Sequence, residues 1–207
     1  MRKILFITFT LLTIIFGCKK SESTSPTPQV PKYSIRAGDR WVFQVNNTND
    51  SLVLIAKSET TLTINNKSIK FYPIADLTDT PRIYVNASDS ILFVFPLSNH
   101  LIFSRLVRAN VNAGDSWEDT TYISQDTLAV VKTRVDSVNA VENVPAGSYN
   151  NVIKINQDYY GVLYNVPFPF ATFKFSIKED VIFVRIIVSF SSDTTDLKLK
   201  SYQRASQ

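Results

Sequence analysis

Ile35-Arg36-Ala37-Gly38-Asp39-Arg40-Trp41-Val42-Phe43-Gln44-Val45 places a tight turn directly before a strand. Gly38 supplies a backbone conformation that residues with a Cβ resist, and Asp39 can fix the turn by bonding its own backbone. After the turn, Trp41, Phe43 and Val45 alternate with Arg40, Val42 and Gln44, the two-residue period of a half-buried strand. The phrase returns as Val111-Asn112-Ala113-Gly114-Asp115-Ser116-Trp117, with the two glycines 76 residues apart. That separation is too long for a solenoid repeat. It predicts two similar sheet halves, each opened by a turn that delivers a tryptophan into its first strand. Asp39 and Asp115 are expected as turn residues rather than paired catalytic carboxylates. Trp41 and Trp117 are expected as core anchors rather than stacking platforms.

Outward from these turns the chain reads as strand after strand. Leu52 to Ala56 is apolar. Thr61-Leu62-Thr63-Ile64 and Ile69-Lys70-Phe71-Tyr72 flank Asn65-Asn66-Lys67, a hairpin because Asn tolerates the positive φ of such turns. Arg82 to Val85 and Ile91 to Phe95 form another hairpin around Asn86 to Asp89. Leu101 to Val107 suits a strand or one helical turn. Trp117 to Ile123 and Thr127 to Asn139 are strands, and Val144-Pro145-Ala146-Gly147-Ser148 is a turn. Tyr149 to Gln157, Tyr159 to Val166, Phe173 to Ile177, Val181 to Phe190 and Leu197 to Tyr202 follow, with Pro167-Phe168-Pro169-Phe170 as an exposed apolar loop. No amphipathic helix exceeds about two turns, against an average of about three. The expected fold is all-β: a single-domain curved antiparallel sheet or incomplete β-barrel.

The first twenty residues have a different character. Arg2 and Lys3 precede an apolar run from Ile4 to Phe16, and Ser/Thr/Pro-rich sequence follows Lys20. A charged start, a short apolar run and a small residue before the break are the marks of a secretory signal peptide. The run is shorter than the roughly 20 residues that span a bilayer. Ile15-Phe16-Gly17-Cys18 resembles the lipobox of bacterial lipoproteins, in which the cysteine receives a diacylglyceryl group and becomes the N-terminus. The resemblance implies a signal peptide over 1–17, lipidated Cys18 with a Ser/Pro-rich tether over 18–32, and a β domain over 33–207. Two or more acyl chains give a stable anchor, so the membrane is the first expected partner. The outer membrane of the cell envelope is the expected location, on its periplasmic or surface face. With the only cysteine lipidated, no disulfide is expected.

The Gly-x-x-Trp opening at Gly38 to Trp41, the Val-Pro-Ala-Gly-aromatic turn within Val141 to Ile155, and Leu199-Lys200-Ser201-Tyr202 at the end together resemble a group of poorly characterised envelope lipoproteins. The resemblance implies a curved antiparallel sheet similar to the periplasmic lipoprotein carriers, and it carries over no catalytic residue. Where relatives have a glycine-rich turn, this chain has Ile177-Lys178-Glu179-Asp180.

Chemistry is sparse. Of the formal charge of +4, Arg2 and Lys3 contribute two. The remaining charges are interspersed, without the Lys/Arg track a nucleic acid needs. A metal site wants histidine, cysteine or clustered carboxylates. The single histidine, His100, follows Ser98-Asn99 and reads as a solvated loop residue. No Gly-x-Ser-x-Gly elbow accompanies it, and no phosphate-cradling glycine loop is present. Neither catalytic residue, cofactor nor metal is expected, and the chain reads as a non-enzyme. Asp followed by Ser or Thr recurs at Asp50, Asp89, Asp119, Asp126, Asp136 and Asp193. This is similar to a periplasmic O-glycosylation acceptor, and equally suits strand openings after turns. Two roles remain. One is binding of a lipid or other hydrophobic ligand by the aromatic-rich sheet; the other is an accessory subunit docked on an outer-membrane protein complex.

Overall fold

A computed structural model describes residues 32–124 and 127–206. The signal peptide, Cys18 and most of the tether lie outside the described residues, as do Asp126 and Gln207. Residues 31–207 form one compact unit, built of strands β1 (Arg40–Val45), β2 (Ser51–Ala56), β3 (Thr60–Ile64), β4 (Lys67–Ala75), β5 (Pro81–Ala87), β6 (Ile91–Leu97), β7 (His100–Val107), β8 (Ser116–Tyr122), β9 (Thr127–Val144), β10 (Gly147–Leu163), β11 (Val166–Lys178), β12 (Ile182–Phe190) and β13 (Asp193–Gln203). The expected all-β fold is what the chain adopts.

The sheet runs β7-β6-β5-β4-β2-β1-β13-β12-β11-β10-β9-β8, every ladder antiparallel, with β3 paired on β4. It curls into a nearly closed barrel made of two meanders. One comprises β1, β2, β4, β5, β6 and β7; the other comprises β8 to β13. The echoed turns open the two meanders and repeat bond for bond. Arg36 N–H donates to Asp39 Oδ2 at 3.0 Å, and Asn112 N–H to Asp115 Oδ2 at 2.8 Å. Gly38 N–H reaches Ala56 O and Gly114 N–H reaches Val135 O, at 2.7 and 2.8 Å. Both glycines have φ near +90°, where a Cβ is strained. The indole N–H of Trp41 bonds Val181 O and that of Trp117 bonds Arg105 O, both at 2.7 Å. Asp39 and Asp115 are thus turn residues, and both tryptophans are buried anchors.

Each meander also folds a hairpin end over its own outer surface. In the first, the β3–β4 hairpin turns at Asn65-Asn66, both with positive φ. It lays Leu62, Ile64, Ile69 and Phe71 on Tyr84, Leu92, Val94, Leu101 and Phe103. In the second, Asn139 and Asn151 take positive φ and shift the β9–β10 register. The tip then reaches β13, where Ala146 N–H bonds Leu199 O at 2.9 Å. Glu142 on this arm is buried among Lys154, Ser176 and Arg185, at 2.9, 2.8 and 3.2 Å.

Several sequence expectations are corrected. Tyr149 to Gln157 and Tyr159 to Leu163 are one continuous strand, β10, because Asp158 faces outward and interrupts only the apolar pattern, not the ladder; Tyr164 and Asn165 turn the chain and Val166 already belongs to β11. Pro167 to Phe170 is no loop: the turn is Tyr164-Asn165, both with positive φ, and the four residues open β11. Phe168 lies across Gly161, its cross-strand partner, where a Cβ would clash with the ring. Phe170 turns toward Tyr159, 6.0 Å between centroids. Leu101 to Val107 is strand, and His100, although exposed, pairs with Leu97 at the start of β7.

Candidate functional site

Inside the barrel, alternate residues of the strands form an apolar core. Phe173 is its hub, with ring centroids 5.0 Å from Tyr159, 5.1 Å from Phe95 and 5.9 Å from Phe175. Outward positions of the second meander carry Lys132, Arg134, Lys154, Asp158, Lys174, Arg185 and Lys198, interspersed with apolar Leu128, Val130, Tyr160, Val162 and Ile187. A membrane-spanning barrel needs the reverse, an apolar outer band around a polar lumen.

The core is not filled everywhere. A cavity of about 300 Å³ lies between β2, β5 and β6 on one side and β11, β12 and β13 on the other. Leu54, Phe93, Phe95, Phe173, Val188 and Leu197 are among its walls, and among the described residues Arg82 is its only charged lining residue. It exists because the β2–β4 ladder holds only two residue pairs, Ile55 with Ala75 and Ala56 with Ile74. Beyond Ala75 the chain leaves the ladder in the Asp76 to Thr80 turn, so residues 51–54 of β2 have no ladder partner on that side and the wall is open there.

Arg82 stands at this opening for a local reason. Ile74 pairs with Ile83 and Ala75 with Pro81, leaving Arg82 as the extra residue of a β-bulge, a device that re-aims a side chain. Its Nε donates to Asp76 Oδ2 at 2.8 Å, and Nη2 lies 2.5 Å from the same oxygen. Asp76 in turn accepts from Thr78 Oγ1 at 2.6 Å, Thr78 N–H at 2.9 Å and Thr80 N–H at 3.3 Å. The Thr78 hydroxyl foremost, then Arg82 and the turn amides, outweigh partial burial and hold the Asp76 carboxyl down at about 2.

Beside the cavity runs a buried polar network. The Gln157 amide donates to Thr133 Oγ1 at 2.9 Å and to Ser104 Oγ at 3.2 Å, and accepts from Tyr159 OH at 2.9 Å. Burial, the largest influence, pushes the Tyr159 phenol well above its ordinary range, so it stays a neutral donor. A second recess, of about 400 Å³, lies where Lys32 and Tyr33 meet the barrel and is bordered by the exposed Asn110, Asn112, Asn139 and Asn151.

Among the described residues no three metal-ligating side chains converge. Of the Asp-Ser/Thr pairs, Asp119-Thr120 is buried at the aspartate and half-buried at the threonine, whereas Asp193-Thr194 is exposed. Aromatic richness points to an apolar interior, but not to where the cavity lies or to Arg82's part in it. Arg82 reads as an ordinary strand residue, and only the bulge reveals it. Comparison with protein-family models, with curated proteins and with solved structures yields no match.

Proposed function

We propose that the chain is a lipid-anchored envelope protein, held at the membrane through Cys18, whose barrel binds a small hydrophobic ligand without chemical turnover. The observation that carries the reading is the apolar cavity of about 300 Å³ walled by β2, β5 and β6 and by β11 to β13. Ligand pockets start at roughly this volume, are mostly apolar, and carry few polar groups. The charged outer surface suits a barrel that works in water beside the membrane. The lipobox-like Ile15-Phe16-Gly17-Cys18 supports the anchor.

The test is native mass spectrometry of the protein purified from its host's membranes, set against its denatured mass. Anchor acyl chains are covalent and appear in both masses, whereas a cavity ligand appears only in the native one. Equal masses, together with no saturable uptake of an apolar fluorescent probe, overturn the reading.

A second reading rests on a different observation. Tyr164, Val166 and Phe168 are exposed at the β10–β11 tip, a patch that suits docking onto a protein complex of the envelope. Crosslinking from a photoreactive residue at position 164 distinguishes the two: a single recurrent protein adduct supports docking, and its absence excludes that tip.

A further inference from the structure

We infer that the cavity ligand is a single-chain amphiphile with a carboxylate head, its chain among the phenylalanines and its head on Arg82. The inference rests on the ligand-binding reading above and narrows it. Three observations carry it. The first is volume: about 300 Å³ lies at the lower limit of ligand pockets, room for one chain and not for a two-tailed lipid. The second is lining. Apart from Arg82, the walls are hydrocarbon and aromatic rings, so a charged group on the ligand finds one partner, and only at the opening.

The third is the way Arg82 is held. The bulge brings a residue that regular alternation would point away from the core to the rim of the cavity. Asp76 engages Nε and Nη2 through a single oxygen, and no acceptor lies on Nη1 among the described residues. The Nη1–Nη2 edge is therefore left for a planar two-oxygen group, the pairing for which a guanidinium fork is shaped. Asp76 is immobilised by Thr78 and Thr80, so the fork is oriented before a ligand arrives. Its side chain remains more than half exposed, which lets the head stay partly in water while the chain is buried.

The test compares dodecanoate with dodecanol, equal in chain length and different in head. Each is titrated into the lipidated protein in nanodiscs, with protein-free nanodiscs as the blank. Binding of dodecanoate at least tenfold tighter than dodecanol is expected. Arg82→Gln should abolish that preference by weakening dodecanoate about tenfold while leaving dodecanol unchanged. Asp76→Asn, which frees the fork, should weaken dodecanoate less than Arg82→Gln does. Equal binding of the two ligands, or an equal loss of both in Arg82→Gln, overturns the carboxylate assignment and leaves the cavity reading intact. Failure of both to bind folded wild-type protein overturns the cavity reading and this inference together.

Discussion

Asp119 accepts both the backbone N–H of Arg105, at 2.8 Å, and its guanidinium Nε, at 2.6 Å. The two residues sit on β8 and β7, the ends of the strand order, and no ladder joins those strands. Side chains take its place. Thr121 Oγ1 accepts from Phe103 N–H at 3.0 Å, and Trp117 donates to Arg105 O at 2.7 Å. Residues 117, 119 and 121, all on one face of β8, thus satisfy the backbone edge of β7, which would otherwise be an open edge.

Asp119→Ala should open this seam. It removes a buried carboxylate that serves two donors, and hydrogen bonds to charged groups are each worth about 1.5–3 kcal/mol. A loss of about 2–3 kcal/mol in denaturant unfolding is expected, with faster hydrogen exchange at the amides of Phe103 and Arg105. Asp119→Asn keeps an acceptor and should recover part of the loss. Unchanged exchange at both amides would show that the seam is held elsewhere.

Gly161→Ala should displace Phe168. A Cβ there runs into the far edge of the Phe168 ring, which is half-exposed and can swing aside, so the loss should lie at or below the low end of core overpacking, about 1 kcal/mol. In a Phe168→Ala background the same glycine substitution should be nearly neutral, so a double-mutant cycle by chemical denaturation reads the coupling. Additive losses would mean that the ring does not rest on Gly161.

Glu142 gives the barrel a pH dependence. Burial alone would raise its carboxyl, but Lys154, Ser176 and Arg185 together hold it below the ordinary carboxylate range. A depressed folded-state value means stability that is complete above the unfolded value, about 4.3 for glutamate, and lost as the pH falls toward the folded value. Glu142→Gln should therefore be destabilised by a constant amount at neutral pH, and the gap from wild type should narrow below about pH 4. Unfolding free energies across that range check it; a gap independent of pH would exclude Glu142 as the titrating group.

Cys18→Ser should release the protein from the membrane. With no acylated cysteine, detergent phase separation of cell lysate should shift the chain out of the membrane-lipoprotein fraction, and labelled fatty acid should no longer be incorporated. Continued incorporation of label would place the lipid on another residue.

Much of this architecture was legible in the chain. Strand identity followed from alternation around Trp41, Phe43 and Val131, and the two meanders followed from Ala37-Gly38-Asp39 and Ala113-Gly114-Asp115. Those features are local, fixed by the side-chain period and by turn chemistry. Asn139 and Asn151 were harder to read, because a positive φ inside a long hairpin leaves no signature in apolar pattern. The Pro167 and Pro169 pair suggests a loop, yet β11 tolerates both prolines where it opens opposite Val162 and Tyr160. The cavity depends on non-local geometry. Leu54, Phe93 and Val188 become neighbours only after the barrel curls, and the bulge at Arg82 depends on where the β4 ladder ends.

The two meanders match in their opening turns, their tryptophans and their folded-over hairpins, but not at one place. In the second, β9 continues unbroken for 18 residues and keeps β10 beside it from Leu128 to the arm. In the first, residues 57–59 interrupt the corresponding stretch into β2 and β3, and β4 pairs β2 at two positions only. The opening to the interior is thus a break in an approximate twofold symmetry. One copy retains the closed wall, and its counterpart exchanges several ladder rungs for a doorway. Restoring those rungs, by continuing β4 past Ala75 in place of the Asp76 to Thr80 turn so that it pairs residues 51–54, would yield a sealed barrel with the same fold and no access to its interior.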